Sequence, residues 1–231
     1  MILFTYAFFI LFILYLIRIR PYKKKYKNSQ YKYISGKCFL ETVFNRGNLG
    51  EFLTFYMLER TGQKNILTNV YLPKKDGTTT EIDVLLINNT GIYVFESKNY
   101  SGWIFGNEKD KMWTQTLQGG KKQKFYNPIW QNKGHIIALD NYLNKQYTDC
   151  YYSYIIFSER CELKKVTSTS KNVIVVKRNH FIHELIKQME YAPQRLSESE
   201  VEDIYLTLKE RTLVDESIKQ KHIEDIKGNI K

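Results

Sequence analysis

Asp83, Glu96 and Lys98 stand in otherwise apolar runs, and their spacing suggests metal-assisted cleavage of a phosphodiester bond. The first run is Thr80-Glu81-Ile82-Asp83-Val84-Leu85-Leu86-Ile87. Asn88-Asn89-Thr90-Gly91 follows, then Ile92-Tyr93-Val94-Phe95-Glu96-Ser97-Lys98. Apolar strands rarely carry charge without a partner or a metal. The composition predicts a β-hairpin with a turn at Asn88–Gly91. If Ile87 faces Ile92, antiparallel register puts Asp83 opposite Glu96 and Glu81 opposite Lys98, with Cβ atoms roughly 4.5–5.5 Å apart. Period-two alternation then places Glu81, Asp83 and Leu85 on one face beside Val94, Glu96 and Lys98. Facing carboxylates repel unless a cation lies between them, and Mg²⁺ (or Mn²⁺) suits carboxylate, water and phosphate oxygens. Lys98 on the same side could hold a hydroxide or stabilise developing phosphorane charge. A solvated sheet face with Lys98 as a cross-strand ion pair is the alternative.

The elements that must position these residues are legible as patterns. Residues 47–61 read as a helix opened by Gly47-Asn48-Leu49-Gly50-Glu51, with Phe52, Phe55, Tyr56 and Leu58 on one side. Ile66–Leu72 reads as a strand ended by Pro73. Residues 101–126 show no clear period and read as short strands or loops, with Trp103 and Trp113 assigned to the core and base stacking as the other possibility. Lys121, Lys122 and Lys124 there suit either phosphate contact or a solvated loop. Asn127-Pro128 opens a helix to about Asn144, its inner face formed by Ile129, Ile136, Ile137, Leu139 and Leu143. Tyr151–Phe157 and Asn172–Lys177 read as strands and 179–190 as a helix. Ser197-x-x-Glu200 is a capping box opening a further helix to about Glu210. Beyond Leu213 a charged tail or frayed helix is expected. This order predicts an α/β fold with a mixed central sheet flanked by helices.

The chain has 231 residues and a net charge of +11. Eight basic residues and no acid lie between Arg18 and Lys37; the rest carries 27 basic against 24 acidic residues, a net of only +3. The overall charge is therefore weak evidence for nucleic-acid binding. The basic segment follows Met1–Ile17, an uncharged apolar run that would span roughly 26 Å as a helix, enough to cross hydrocarbon if the flanks snorkel. Basic residues follow the apolar run instead of preceding it, so a cleaved signal is disfavoured. The expectation is one N-terminal transmembrane helix at a cell membrane, single-pass, with the C-terminal domain cytoplasmic and a Lys-rich neck near anionic lipid. The expected organisation is 1–17 anchor, 18–36 basic linker, 37–190 catalytic-type domain and 191–231 helical extension. Cys38, Cys150 and Cys161 lack metal-ligand spacing and read as reduced core thiols. The four histidines, His180-x-x-His183 included, suggest no site.

These blocks together resemble the nuclease-related domain (NERD) family, in the restriction-endonuclease-like PD-(D/E)xK superfamily. The resemblance rests on Gly47-x-x-Gly50-Glu51, Glu81-Ile82-Asp83, Gly91 to Tyr100 with Gly102, Trp113, and Asn127-Pro128-x-x-Gln131. Ile82 stands where the superfamily usually has proline. The resemblance implies a restriction-endonuclease-like mixed sheet and Mg²⁺-dependent cleavage of DNA. Asp83, Glu96 and the Ser97 carbonyl would hold the metal, Glu51 would assist it or its waters, Lys98 would position the attacking water, and Gln131 would lie near the site. A catalytically silent module that binds nucleic acid or protein on the same fold is the competing expectation.

Overall fold

The computed structural model describes residues 2–228. Four helices come first: α1 (Ile2–Lys27), α2 (Tyr31–Ser35), α3 (Phe39–Phe44) and α4 (Arg46–Glu59). Then come β1 (Ile66–Pro73), β2 (Thr79–Asn88), β3 (Gly91–Lys98), β4 (Gly102–Asn107), β5 (Met112–Thr116), β6 (Lys122–Tyr126) and α5 (Pro128–Tyr142). The chain closes with β7 (Tyr151–Phe157), β8 (Cys161–Thr167), β9 (Val173–Lys177), α6 (Arg178–Tyr191), α7 (Glu198–Lys209) and α8 (Glu216–Gly228).

The main sheet has the order β1-β2-β3-β7-β9. Its first three strands form an antiparallel meander; β7 and β9 then add in parallel to β3. The parallel step needs a long crossover, which runs through the second sheet and α5. One face of the main sheet packs Val84, Leu86, Tyr93 and Phe95 against Phe52, Phe55 and Leu58 of α4 and Phe181 and Leu185 of α6. The other packs Leu85, Ile87, Ile92 and Val94 against Ala138 and Leu139 of α5 and Val201, Ile204 and Leu208 of α7. The mixed sheet flanked by helices is as the residue pattern predicts.

A second sheet, β6-β5-β4-β8, takes three of its strands from the stretch where no period was visible. Trp113 anchors it, fully buried and stacked on Phe157 at 6.2 Å. A Cβ at Gly106 would lie 2.1 Å from the Trp113 ring, so only glycine allows this approach. Trp103, assigned to the core from sequence, lies on the opposite face of this sheet, 50% exposed, with Lys164 Nζ 5.2 Å from its ring centre. Strand β8 escapes a reading by alternation because Lys164-Lys165 doubles the polar position where the ladder with β4 shifts register between Ile104 and Phe105. Lys122 and Lys124 are exposed on β6.

The N-terminal segment differs from the expectation. Most side chains of the expected anchor, residues 1–17, lie outside the described residues. Among the described residues no helix is long and apolar enough to cross a membrane. The basic segment expected as a linker is largely helical and contributes to the core. Tyr26 and Tyr31 pack on Phe52 at 5.8 and 5.2 Å, and Tyr31 also on Phe55. Cys150 and Cys161 are buried thiols, but Cys38 is exposed. On α5, Ile137 is 52% exposed, whereas Asn132 and His135 face inward with Ile129, Ala138 and Leu139.

Candidate active site

The hairpin forms with the expected register, Ile87 paired with Ile92 and Val84 with Phe95. Beyond Val84 the ladder stops, and the faces change. In β2, Ile82 shares a core cluster with Leu85; in β1, Val70 and Leu72 share it with Leu67. Strict alternation would separate these residues, so both strands turn over between Leu67 and Val70 and between Ile82 and Leu85. Asn69 sits at this point with φ 54°, a left-handed conformation that asparagine tolerates. Glu81 is thereby moved to the α4 side of the sheet instead of standing opposite Lys98. It accepts hydrogen bonds from Asn69 Nδ2 (2.8 Å) and Tyr71 Oη (2.7 Å).

On the α5 side the acid of β3 is enclosed. Glu96 is 1% exposed. Lys98 Nζ lies 2.6 Å from its Oε1, and His135 Nε2 lies 3.0 Å from its Oε2. An ionised carboxylate only accepts, so Nε2 carries the proton in this bond; Nδ1 of a neutral ring then accepts from Thr80 Oγ1 at 2.7 Å. Burial alone would raise the Glu96 pKa, but Lys98 and the His135 hydrogen bond outweigh it and hold the group at about 2. Burial works against the charge of Lys98 too, yet Glu96 and Asp83 keep its pKa above the ordinary lysine value. Lys98 also donates to Gln131 Oε1 at 2.9 Å, which leaves one of its three N–H groups for another acceptor.

The direction of α5 sets this cluster. Asn127 caps the helix by accepting from Ile129 N, and its Nδ2 donates to the carbonyls of Asn107, Glu108 and Asp110. One turn on, Gln131 and His135 stand four apart on the inner face. Asn132 between them donates to Val94 O and Ser153 Oγ, which pins the helix to β3 and β7.

On the α4 side, Glu51 accepts from Lys37 Nζ at 3.1 Å and Asn69 Nδ2 at 3.0 Å. Its pKa is raised, first by burial and then, against the pull of Lys37, by nearby Glu81. Asp83 lies between the two groups and reaches across to β3, where Ser97 N donates to its Oδ2 at 2.8 Å. Burial, then the charges of Glu96 and Glu51, push its pKa well above the carboxylate range, opposed by Lys98 and the Ser97 amide.

The five residues singled out as catalytic from sequence, Glu51, Asp83, Glu96, Lys98 and Gln131, thus meet at one end of the main sheet, with Ser97 among them. His135, Asn69 and Lys37 join them without having been anticipated. The Gln131/His135 spacing on one helical face was the available signal for His135; nothing local marks Lys37 or the left-handed Asn69. His180 and His183 are exposed on α6, away from this cluster.

A family model described as the nuclease-related domain matches residues 46–158. An uncharacterized protein of Bacillus anthracis is 37% identical over 182 residues, which is 78% of this chain and 82% of that protein. The chain belongs to the nuclease-related domain family. No solved structure matches it. The match to the nuclease-related domain runs from α4 to the end of β7, so it takes in Glu51, Asp83, Glu96, Lys98, Gln131 and His135. Lys37, which pairs with Glu51, and all of α6 fall outside it.

Among the described residues no group of three or more His, Cys, Asp or Glu is arranged to hold a metal ion. The donor set at the end of β2 and β3 is smaller: two carboxylates of opposite pKa shift and one main-chain carbonyl. Lys98 O accepts from Ser158 N on the β7 side. By strand alternation the Ser97 carbonyl points the other way, with its N–H, toward Asp83. A set of this size suits Mg²⁺, which keeps several waters and is usually held by one or two carboxylates together with substrate phosphate.

Proposed function

We propose that this protein is a divalent-metal-dependent nuclease that hydrolyses phosphodiester bonds of DNA at the Asp83–Glu96–Lys98 cluster. The observation that carries it is Asp83: a half-buried carboxylate whose ionisation is opposed by two neighbouring acids, beside a lysine with a free N–H. A divalent cation relieves that repulsion. Asp83, Glu96 and the Ser97 carbonyl would hold Mg²⁺ or Mn²⁺, which supplies Lewis-acid polarisation of a phosphoryl oxygen and a bound water of lowered pKa. Lys98, kept charged by Glu96 and Asp83 and steered by Gln131, orients the attacking oxygen through its remaining N–H and offsets charge developing on phosphorus. His135 fixes the Glu96 carboxylate plane from the other side. Glu51, held by Lys37 and Asn69, keeps a negative field on Asp83.

Residues 1–17 are further proposed as a membrane anchor with the catalytic domain in the cytoplasm. Tyr6, Ile13 and Ile17 of α1 expose 66%, 53% and 62% of their surface, a cost in water that lipid removes. Removing everything before residue 37 would strip Tyr26 and Tyr31 from the α4 core, so the full chain in detergent is the proper sample. Plasmid, linear and single-stranded DNA are offered to it with Mg²⁺, Mn²⁺ or EDTA. Metal-dependent cleavage absent from Asp83→Ala is expected; equal cleavage by both proteins, or none by either, rejects the proposal.

The second reading is a silent binding module on the same fold. It is favoured by the 2.6 Å contact of Lys98 with Glu96, which already satisfies the acid that the metal would need. DNA binding that persists in an Asp83→Ala, Lys98→Ala double variant, with no cleavage by the parent, would select it.

A further inference from the structure

Arg178 opens α6 and is 1% exposed, although among the described residues its charge has a single acidic partner. Nη1 lies 3.2 Å from Glu159 Oε2, and Glu159 is itself 46% exposed. Nε and Nη2 are buried and find no hydrogen-bond partner among the described residues. These two atoms form the side edge of the guanidinium, the fork that matches two oxygens of a phosphate or carboxylate. Leaving both donors unmade in the interior is costly unless a ligand supplies acceptors.

The surroundings favour an anion. Arg178 lines a cavity of about 320 Å³ whose polar wall is Arg46, Asn99, Arg160 and Glu159, three arginines to one glutamate, and whose other wall is largely apolar, with Val43, Leu49 and Leu53. Ser97 Oγ is also buried and finds no partner among the described residues. Ser97 Oγ and Arg178 Nη2 both lie close to Gly50, where a Cβ would stand 2.9 Å from the first and 3.4 Å from the second. Glycine on α4 leaves this recess open. Burial lowers the Arg178 pKa against the pull of Glu159, which marks a cation short of counter-charge. A second cavity, lined in part by Ser97 and Lys98, shares Arg46 and Asn99 with the first. Asn99 joins the walls: it donates to Arg46 O at 2.7 Å and accepts from Arg160 Nη2 through its carbonyl and side chain.

We infer that this cavity is a subsite for a backbone phosphate of the nucleic-acid strand whose neighbouring phosphate lies at Lys98, with Arg178 as the bidentate donor and Arg46 and Arg160 at the rim. This rests on the nuclease reading for its substrate class and adds a contact outside the family-matched segment. A strand running from Lys98 past Asn99 would pass from the second cavity to the first, and a bare water cannot neutralise the excess of two positive charges.

The test measures binding, so cleavage does not enter. Full-length protein is titrated into fluorescent oligonucleotides of unrelated sequence in EDTA, at several salt concentrations. Loss of one phosphate contact weakens binding of every sequence alike and lowers the log–log salt slope by about one. Arg178→Gln is expected to show that change, with affinity about five- to tenfold lower. In parallel, inorganic phosphate should raise the Tm of the parent above that in chloride of equal ionic strength, and Arg178→Gln should lose this increment while Asp83→Asn keeps it. A folded Arg178→Gln protein with unchanged salt slope overturns the inference, as does a phosphate effect on Tm with no change in nucleic-acid binding, which would mean another source of phosphate. If Arg178→Gln does not fold, the exposed pair Arg46→Gln and Arg160→Gln decides: a slope lower by about one to two sustains the subsite, and an unchanged slope rejects it. Failure of cleavage with a lowered slope would sink the nuclease proposal alone.

Discussion

Glu96 and Asp83 are neighbouring carboxylates on paired strands, both largely withdrawn from water, yet their pKa values move in opposite directions. The difference lies in which side of the sheet supplies cations. Toward α5, Glu96 receives Lys98 and His135 directly. Toward α4, Lys37 pairs with Glu51, and Asp83 has the Ser97 amide as donor and two acids nearby, whose effect together with burial outweighs the pull of Lys98. Burial therefore does not set the charge state of an acid by itself; the donors placed beside it, Lys98 from its own strand and His135 from α5, do. One carboxylate is left stable and ionised, the other ready to gain from a cation.

That contrast can be broken most forcefully at Lys98. Lys98→Ala leaves a buried acid with half its support, so a loss of about 3 kcal/mol in urea unfolding and at least a hundredfold loss of cleavage are expected. Asp83→Asn should separate function from stability. Because the folded pKa of Asp83 is raised, its stabilising contribution is complete below the unfolded carboxylate value and is lost as pH rises through the folded one. Asp83→Asn is thus expected to abolish cleavage yet raise Tm at neutral pH, with the gain vanishing in acid and shrinking when Mg²⁺ is added to the parent. Glu96 carries the opposite sign: its contribution is present above the unfolded value and is lost as pH falls toward about 2. Glu96→Gln should accordingly lower Tm at neutral pH, and the gap should close in strong acid. His135→Ala removes one hydrogen bond to a charged group, so about 2 kcal/mol of stability and a reduced kcat with little change in KM are expected. The smallest effect belongs to Trp103→Ala on the open face of the second sheet, within about 0.5 kcal/mol in denaturant titration; a larger loss would mean that this face is covered in solution.

Much of this was visible in the chain. The hairpin register followed from Asn88–Gly91 and the apolar runs beside it, and the cap at Asn127-Pro128 and the box at Ser197 and Glu200 formed as their residue types predict. Glu81 went to the unexpected face because alternation assumes an unbroken pleat, and Asn69, a residue on another strand, breaks it. Trp103 and Trp113 are the same residue type ten apart, and only the packing of β7 beneath the second sheet decides that one is core and the other surface. Ile137 was misplaced on α5 because the inward positions are held by Asn132 and His135, which hydropathy counts as outward.

By itself, the order of residue types determined the elements, the hairpin that carries Asp83 and Glu96, and the family, because turn chemistry, capping and short motifs act within a few residues of one another. Apart from Lys98, two residues from Glu96 on the same strand, the partners of the charged groups were decided by the tertiary structure. Lys37, Asn69, His135 and Arg178 come from four separate segments, and electrostatic fields at a few ångströms depend on distance in space, to which distance along the chain is no guide.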